Sequence, residues 1–124
     1  MSRLSRTVNI EDRRRMAKSR LPRSVFDFFD GGAEDETTLR GNRAAFERVR
    51  LLPRVMVDVS QVDTCIEIFG ARAVLTGRAT LFGVMAGGEA GAKRAIDILG
   101  GEFERALQLC GVQRAEDIGP ELLA

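Results

Sequence analysis

The chain has 124 residues, 44% hydrophobic and 30% charged, with a formal net charge of +1. That length carries one modest core, expected as one compact unit overall, and the composition excludes disordered, collagenous and fibrous classes. Histidine, tyrosine and tryptophan are all absent. Histidine is the usual general base near neutrality, so its absence excludes Ser-His-Asp and Cys-His catalysis and most zinc hydrolase designs. Carboxylates, arginines, two lysines, two thiols and hydroxyls remain for chemistry.

Asn9 before Ile10-Glu11-Asp12 predicts a helix start, with a polar cap and acids facing the positive dipole end. Ile10, Arg14, Ala17 and Leu21 then share one weakly amphipathic face. Pro22 interrupts and suits the first position of a second helix, Pro22 to Phe29. Val25, Phe26, Phe28 and Phe29 make that helix apolar on most sides, so it is expected to be buried until Asp30-Gly31-Gly32 ends it. A third helix is expected from about Asp35 to Arg48, presenting Leu39, Ala44, Ala45 and Phe46.

From Val49 to Phe69 the pattern turns β-branched and alternating. Leu51-Leu52-Pro53, Val55-Met56-Val57 and Thr64 to Phe69 read as extended segments or short strands. Ala73-Val74-Leu75-Thr76, closed by Gly77, reads as one fully buried strand, and a short helix near Thr80 to Met85 follows. The clearest element starts near Gly88: Ala92, Ala95, Ile96, Leu99, Phe103, Ala106, Leu107 and Cys110 recur at three- and four-residue steps. Gly100-Gly101 inside it predicts a kink, Gly111 a C-terminal cap, and Arg114 to Leu123 a short helical turn around Pro120.

Charge is unevenly placed. Residues 1–23 hold eight Arg/Lys against Glu11 and Asp12, whereas residues 24–40 hold five acids against Arg40 alone. No aromatic residue interleaves with the basic ones for base stacking, so the basic segment reads as a solvated helix face answered by its acidic neighbour. No nucleic-acid partner is expected. The longest uncharged stretch, Ala79 to Gly88, is about half of what a membrane span needs. With no apolar leader at the N-terminus, a cytoplasmic location is expected. Cys65 and Cys110 lie far apart with no histidine to complete a metal site, and both read as small buried apolar side chains.

Three stretches resemble the FMN-dependent 2-hydroxy-acid dehydrogenase and oxidase family of mandelate, lactate and glycolate enzymes. They are Leu21-Pro22-Arg23-Ser24-Val25-Phe26-Asp27-Phe28-Phe29-Asp30-Gly31-Gly32-Ala33-Glu34-Asp35-Glu36 with Asn42-Arg43-Ala44-Ala45-Phe46, then Leu52 to Ser60, then Ala73 to Gly83 continuing through Gly87-Gly88-Glu89-Ala90-Gly91. The resemblance implies an FMN-binding (β/α)₈ (TIM) barrel with an N-terminal helical extension, about three times this length. Residues 1–70 resemble the extension and barrel lead-in, and residues 71–124 the last barrel strand and closing helices. The join falls at Ile68-Phe69-Gly70-Ala71.

The implied fold class is therefore mainly α with a few short strands, an incomplete remnant of that barrel. By the same resemblance the catalytic histidine, the substrate-binding arginines and most flavin contacts have no counterpart here. Gly77 and Arg78 match the pair that meets the FMN phosphate. Phe28 stands where the family commonly has a substrate-binding tyrosine, whose hydrogen bond phenylalanine cannot donate. No catalytic residue and no metal ligand is assigned, and weak or no FMN binding is expected. A homo-oligomer, or association with a full-length family member, is the expected partnership.

Overall fold

The computed structural model describes residues 6–65, 67–68, 71–72 and 76–124. Four helices, α1 (Ile10–Arg20), α2 (Arg23–Asp30), α3 (Thr37–Arg48) and α4 (Arg78–Cys110), carry most of the described chain. A two-residue antiparallel pair, β1 (Glu67–Ile68) with β2 (Ala71–Arg72), and two 3₁₀ turns at Ala115–Asp117 and Pro120–Leu122 complete it. The predicted strand Ala73–Thr76 lies outside the described residues except for Thr76, which is exposed.

The chain forms two compact units rather than the one core expected from its length. The first joins Met1–Gly31 with Leu75–Glu102, and the second joins Gly32–Val74 with Phe103–Ala124. Both units draw on both sides of the 70/71 division read from the sequence.

In the first unit, Asn9 caps α1 as expected: its Oδ1 accepts from the Asp12 backbone N–H at 2.8 Å, and Asp12 Oδ2 accepts from the Val8 N–H at 3.1 Å. Pro22 is the N-cap of α2 rather than its first residue. The core is Ala17, Phe26, Phe82 and Ala86, flanked by Ile10, Met16, Leu21 and Met85. The Phe26 and Phe82 rings stack with centroids 6.4 Å apart.

Three expectations fail in this unit. A helix of eight residues buries one stripe here: Phe26 is 2% exposed, while Phe28, about 200° further round, is 80% exposed. Arg13, read as part of a solvated face, is fully buried beside Ala17. The long helix breaks at Gly87 and Gly88, where the sequence placed the boundary between two helices, and runs unbroken through Gly100-Gly101. Gly88 adopts φ +58°, ψ −143°, a conformation that only glycine adopts readily. The two arms of α4 then meet so closely that a Cβ on Gly83 would lie 2.5 Å from the Gly91 carbonyl oxygen and 2.9 Å from Ala95 Cβ.

In the second unit α3 starts at Thr37, two residues later than expected, after Glu34 and Glu36 adopt positive φ. None of its residues is buried. Among the described residues the segment 49–65 forms no strand longer than a single paired residue, at Leu51 with Leu123 and at Asp63 with Arg114, and β1 follows it. The end of α4 is a Schellman motif: the Val112 N–H donates to the Leu107 carbonyl at 2.9 Å and the Gly111 N–H to that of Gln108 at 3.1 Å. Gly111 supplies the required positive φ of +62°. Leu107, Cys110, Val112 and Leu122 form the core, with Val62 against it. Cys110 is buried as expected, but Cys65 is exposed, on a segment that packs little of its own surface.

Candidate functional site

The candidate residues of the first unit gather where α2 ends and α4 begins. Asp30 closes α2, placing a carboxylate at the negative end of a helix dipole, which is unfavourable without a cation nearby. Arg14 supplies one. Its Nε donates to Asp30 Oδ1 at 2.5 Å and its NH2 group to Oδ2 at 2.7 Å, a bidentate pair. Arg14 NH1 also donates to Glu11 Oε1 at 3.0 Å. Hydrogen bonding from Arg14 holds the Asp30 carboxyl below the usual carboxylate range, aided by the charges of Arg14, Arg78 and Lys18 against a burial penalty. Reciprocally, the hydrogen bond to Asp30 keeps Arg14 more firmly protonated.

Arg78 opens α4 and reaches the same place. Its NH1 group donates to the Asp30 carbonyl and its NH2 group to the Gly31 carbonyl, both at 2.9 Å. These are carbonyls that a helix C-terminus leaves without intrahelical partners. Gly77 precedes it, exposed, with open space where a Cβ would stand. The Thr80 hydroxyl donates to the Gly77 carbonyl at 3.2 Å. Phe28 lies on α2 two residues before its end, facing solvent, with its ring edge-on to Phe29 at 5.2 Å.

The structure thus brings Arg78 to α2, the helix that carries Phe28. It also adds Arg14 and Asp30, which the sequence reading passed over. The signal for them was available: an acid directly after the end of a predicted helix calls for a cation close by. Elsewhere in this unit Arg20 donates to the Ala86 carbonyl and Arg94 to the Thr7 carbonyl. Burial, with Arg94 nearby, makes Arg13 easier to deprotonate than an ordinary arginine.

The second unit has an open polar cleft of about 840 Å³, lined among others by Asp58, Ser60, Asp63, Glu104, Gln113 and Arg114. Its contacts are internal. The Ser60 backbone and side chain hydrogen-bond the Asp58 carboxylate and lower its pKa, and Gln113 Nε2 donates to the Asp58 carbonyl at 2.7 Å. Among the described residues no cluster of ligating side chains could hold a metal ion.

The sequence model of the family described as FMN-dependent dehydrogenase matches residues 17–72 and, as a separate stretch, 68–124. The chain belongs to that family. The two stretches meet at residues 68–72, where the resemblance placed the join. Among members of the family, the peroxisomal (S)-2-hydroxyacid oxidase GLO3 of Arabidopsis thaliana is 43% identical over 67 residues, covering 54% of this chain and 18% of the relative. An L-lactate oxidase of Nostoc is 41% identical over 70 residues, covering 56% and 19%. A crystal structure of a mutant of the active chimera of (S)-mandelate dehydrogenase matches with a TM-score of 0.50 at 43% identity, over 52% of this chain and 18% of that one. The chain therefore spans about a fifth of the length of these family members. No helix among its described residues is long and apolar enough to cross a membrane.

Proposed function

We propose that this chain is a piece of an FMN-dependent 2-hydroxy-acid oxidoreductase of the mandelate or lactate type, a remnant of its (β/α)₈ barrel, and has no turnover of its own. One observation carries the reading: two separate family matches overlap at residues 68–72 in a chain that contains no histidine at all. A family whose members take a substrate proton with a histidine base leaves nothing here to take it. Arginine stays protonated at working pH, and the carboxylates described at the candidate site are already paired with arginine. A cytoplasmic location is part of the same reading.

The test is dye-acceptor reduction by purified protein with mandelate, lactate or glycolate, with and without added FMN. The expected result is no rate above the buffer blank, from a colourless preparation. Turnover, or a flavin that stays with the protein through gel filtration, would refute the reading.

A second reading is self-association, alone or on full-length relatives. It is favoured by exposed apolar side chains in each unit: Phe28, Val84 and Ile96 in the first, and Phe46, Val55, Met56 and Leu109 in the second.

A further inference from the structure

We propose that Arg78, which by position is the family's phosphate-binding arginine, is taken here by an internal anion, the C-terminal end of α2. This rests on the reading that Gly77 and Arg78 correspond to the phosphate pair. An arginine holds phosphate by presenting two N–H groups as a fork to two oxygens. In this chain the end of that fork, NH1 and NH2, is directed at the carbonyl oxygens of Asp30 and Gly31, both at 2.9 Å.

The surroundings point the same way. A helix C-terminus carries roughly half a negative charge, and the Asp30 carboxylate, kept ionised but offset by its pairing with Arg14, adds to the attraction that Arg78 feels there. A phosphate approaching the fork would have to displace two carbonyls and would meet that carboxylate. Gly77 leaves room for a ligand, but the arginine beside it is engaged, so the two residues do not fit an FMN phosphate. Arg78 is a positioning residue for α2: it ties the last turn of that helix, and with it the segment bearing Phe28, to the first turn of α4.

Two measurements on the full chain test this. The first is hydrogen–deuterium exchange in peptides covering residues 24–33, for wild type, Arg78→Ala and Arg78→Lys. A clamp on two carbonyls needs the planar fork, so lysine should fail as alanine does, and exchange should quicken about fivefold or more in both. The second is titration with FMN and with inorganic phosphate, where wild type should bind neither with a Kd below about 1 mM.

Unchanged exchange at the α2 end in both variants overturns the proposal. So does sub-millimolar FMN binding that Arg78→Ala abolishes and Arg78→Lys largely keeps, since a point charge serves a phosphate. FMN binding of equal strength in wild type and both variants, with quickened exchange, sustains the clamp and instead sinks the flavin-free reading above. Should Arg78→Ala lose its cooperative thermal transition, Arg78→Lys carries both measurements.

Discussion

At the scale of single residues, the Arg14–Asp30 pair makes stability depend on pH in a definite direction. The folded state depresses the Asp30 pKa, so the pair stabilises the fold above the unfolded carboxylate value of about 4 and loses that contribution as pH falls through the lower folded value. Arg14 is 35% exposed, which screens the interaction. Asp30→Asn should therefore cost about 1 kcal/mol at pH 7, and the difference from wild type should shrink below about pH 4. Urea midpoints at pH 7 and pH 3 check this, and a constant difference would assign the cost to packing. The pair also shows why individual side chains were the hardest part of the sequence to read. Phe28 and Phe26 are the same residue type two positions apart, yet only Phe26 is buried, against Phe82, while Phe28 meets just its neighbour Phe29 in solvent. Phe82 lies far along the chain, and periodicity within α2 cannot name it.

Elements were more legible, because caps and turns are local. Asn9 before α1 and Gly111 after α4 each satisfy backbone groups within a few residues, and both were evident from residue type. The glycines within α4 divide by what surrounds them, which local sequence does not show. Gly100 has nothing within 4 Å of a would-be Cβ, while Gly83 abuts Gly91 and Ala95. Gly100→Ala should stabilise the chain by about 0.5–1 kcal/mol by lowering the entropy of the unfolded state. Gly83→Ala should cost about 1–3 kcal/mol by forcing the two arms of α4 apart. Thermal melts of the two variants should thus shift in opposite directions, and a shared direction would mean that the close approach of the arms is not maintained.

For the whole molecule, the apolar side chains left in water are the feature to explain. The recurrence read from the sequence sets Ile96, Leu99, Phe103 and Leu107 together on one apolar face of the long helix. In the structure Leu107 is in the second core and Leu99 is half-buried, while Ile96 is 57% and Phe103 39% exposed. Full burial of a side chain of that size is worth about 1.5–3 kcal/mol, which favours association. Sedimentation should show an oligomer for wild type, weakened by Phe103→Asp. A wild-type monomer with a cooperative transition would remove the self-association reading. An oligomer that tolerates the aspartate would place the contact elsewhere, with Phe46, Val55 and Met56 next in line. The family and the helical content were legible at this scale because long motifs stand in order, whereas the division into two units depends on pairings between distant segments.

Because the first unit is assembled from Met1–Gly31 and Leu75–Glu102, its stacked Phe26 and Phe82 close a loop of chain whose middle, Gly32–Val74, belongs to the second unit. The entropy of closing such a loop grows only logarithmically, by about 0.6 kcal/mol for each doubling of its length. A fivefold longer intervening polypeptide would cost this unit less than about 2 kcal/mol. The pairing of α1 and α2 with the first arm of α4 is thus nearly indifferent to what lies between them. By this term alone, the same two segments would pair across a longer or a shorter connection.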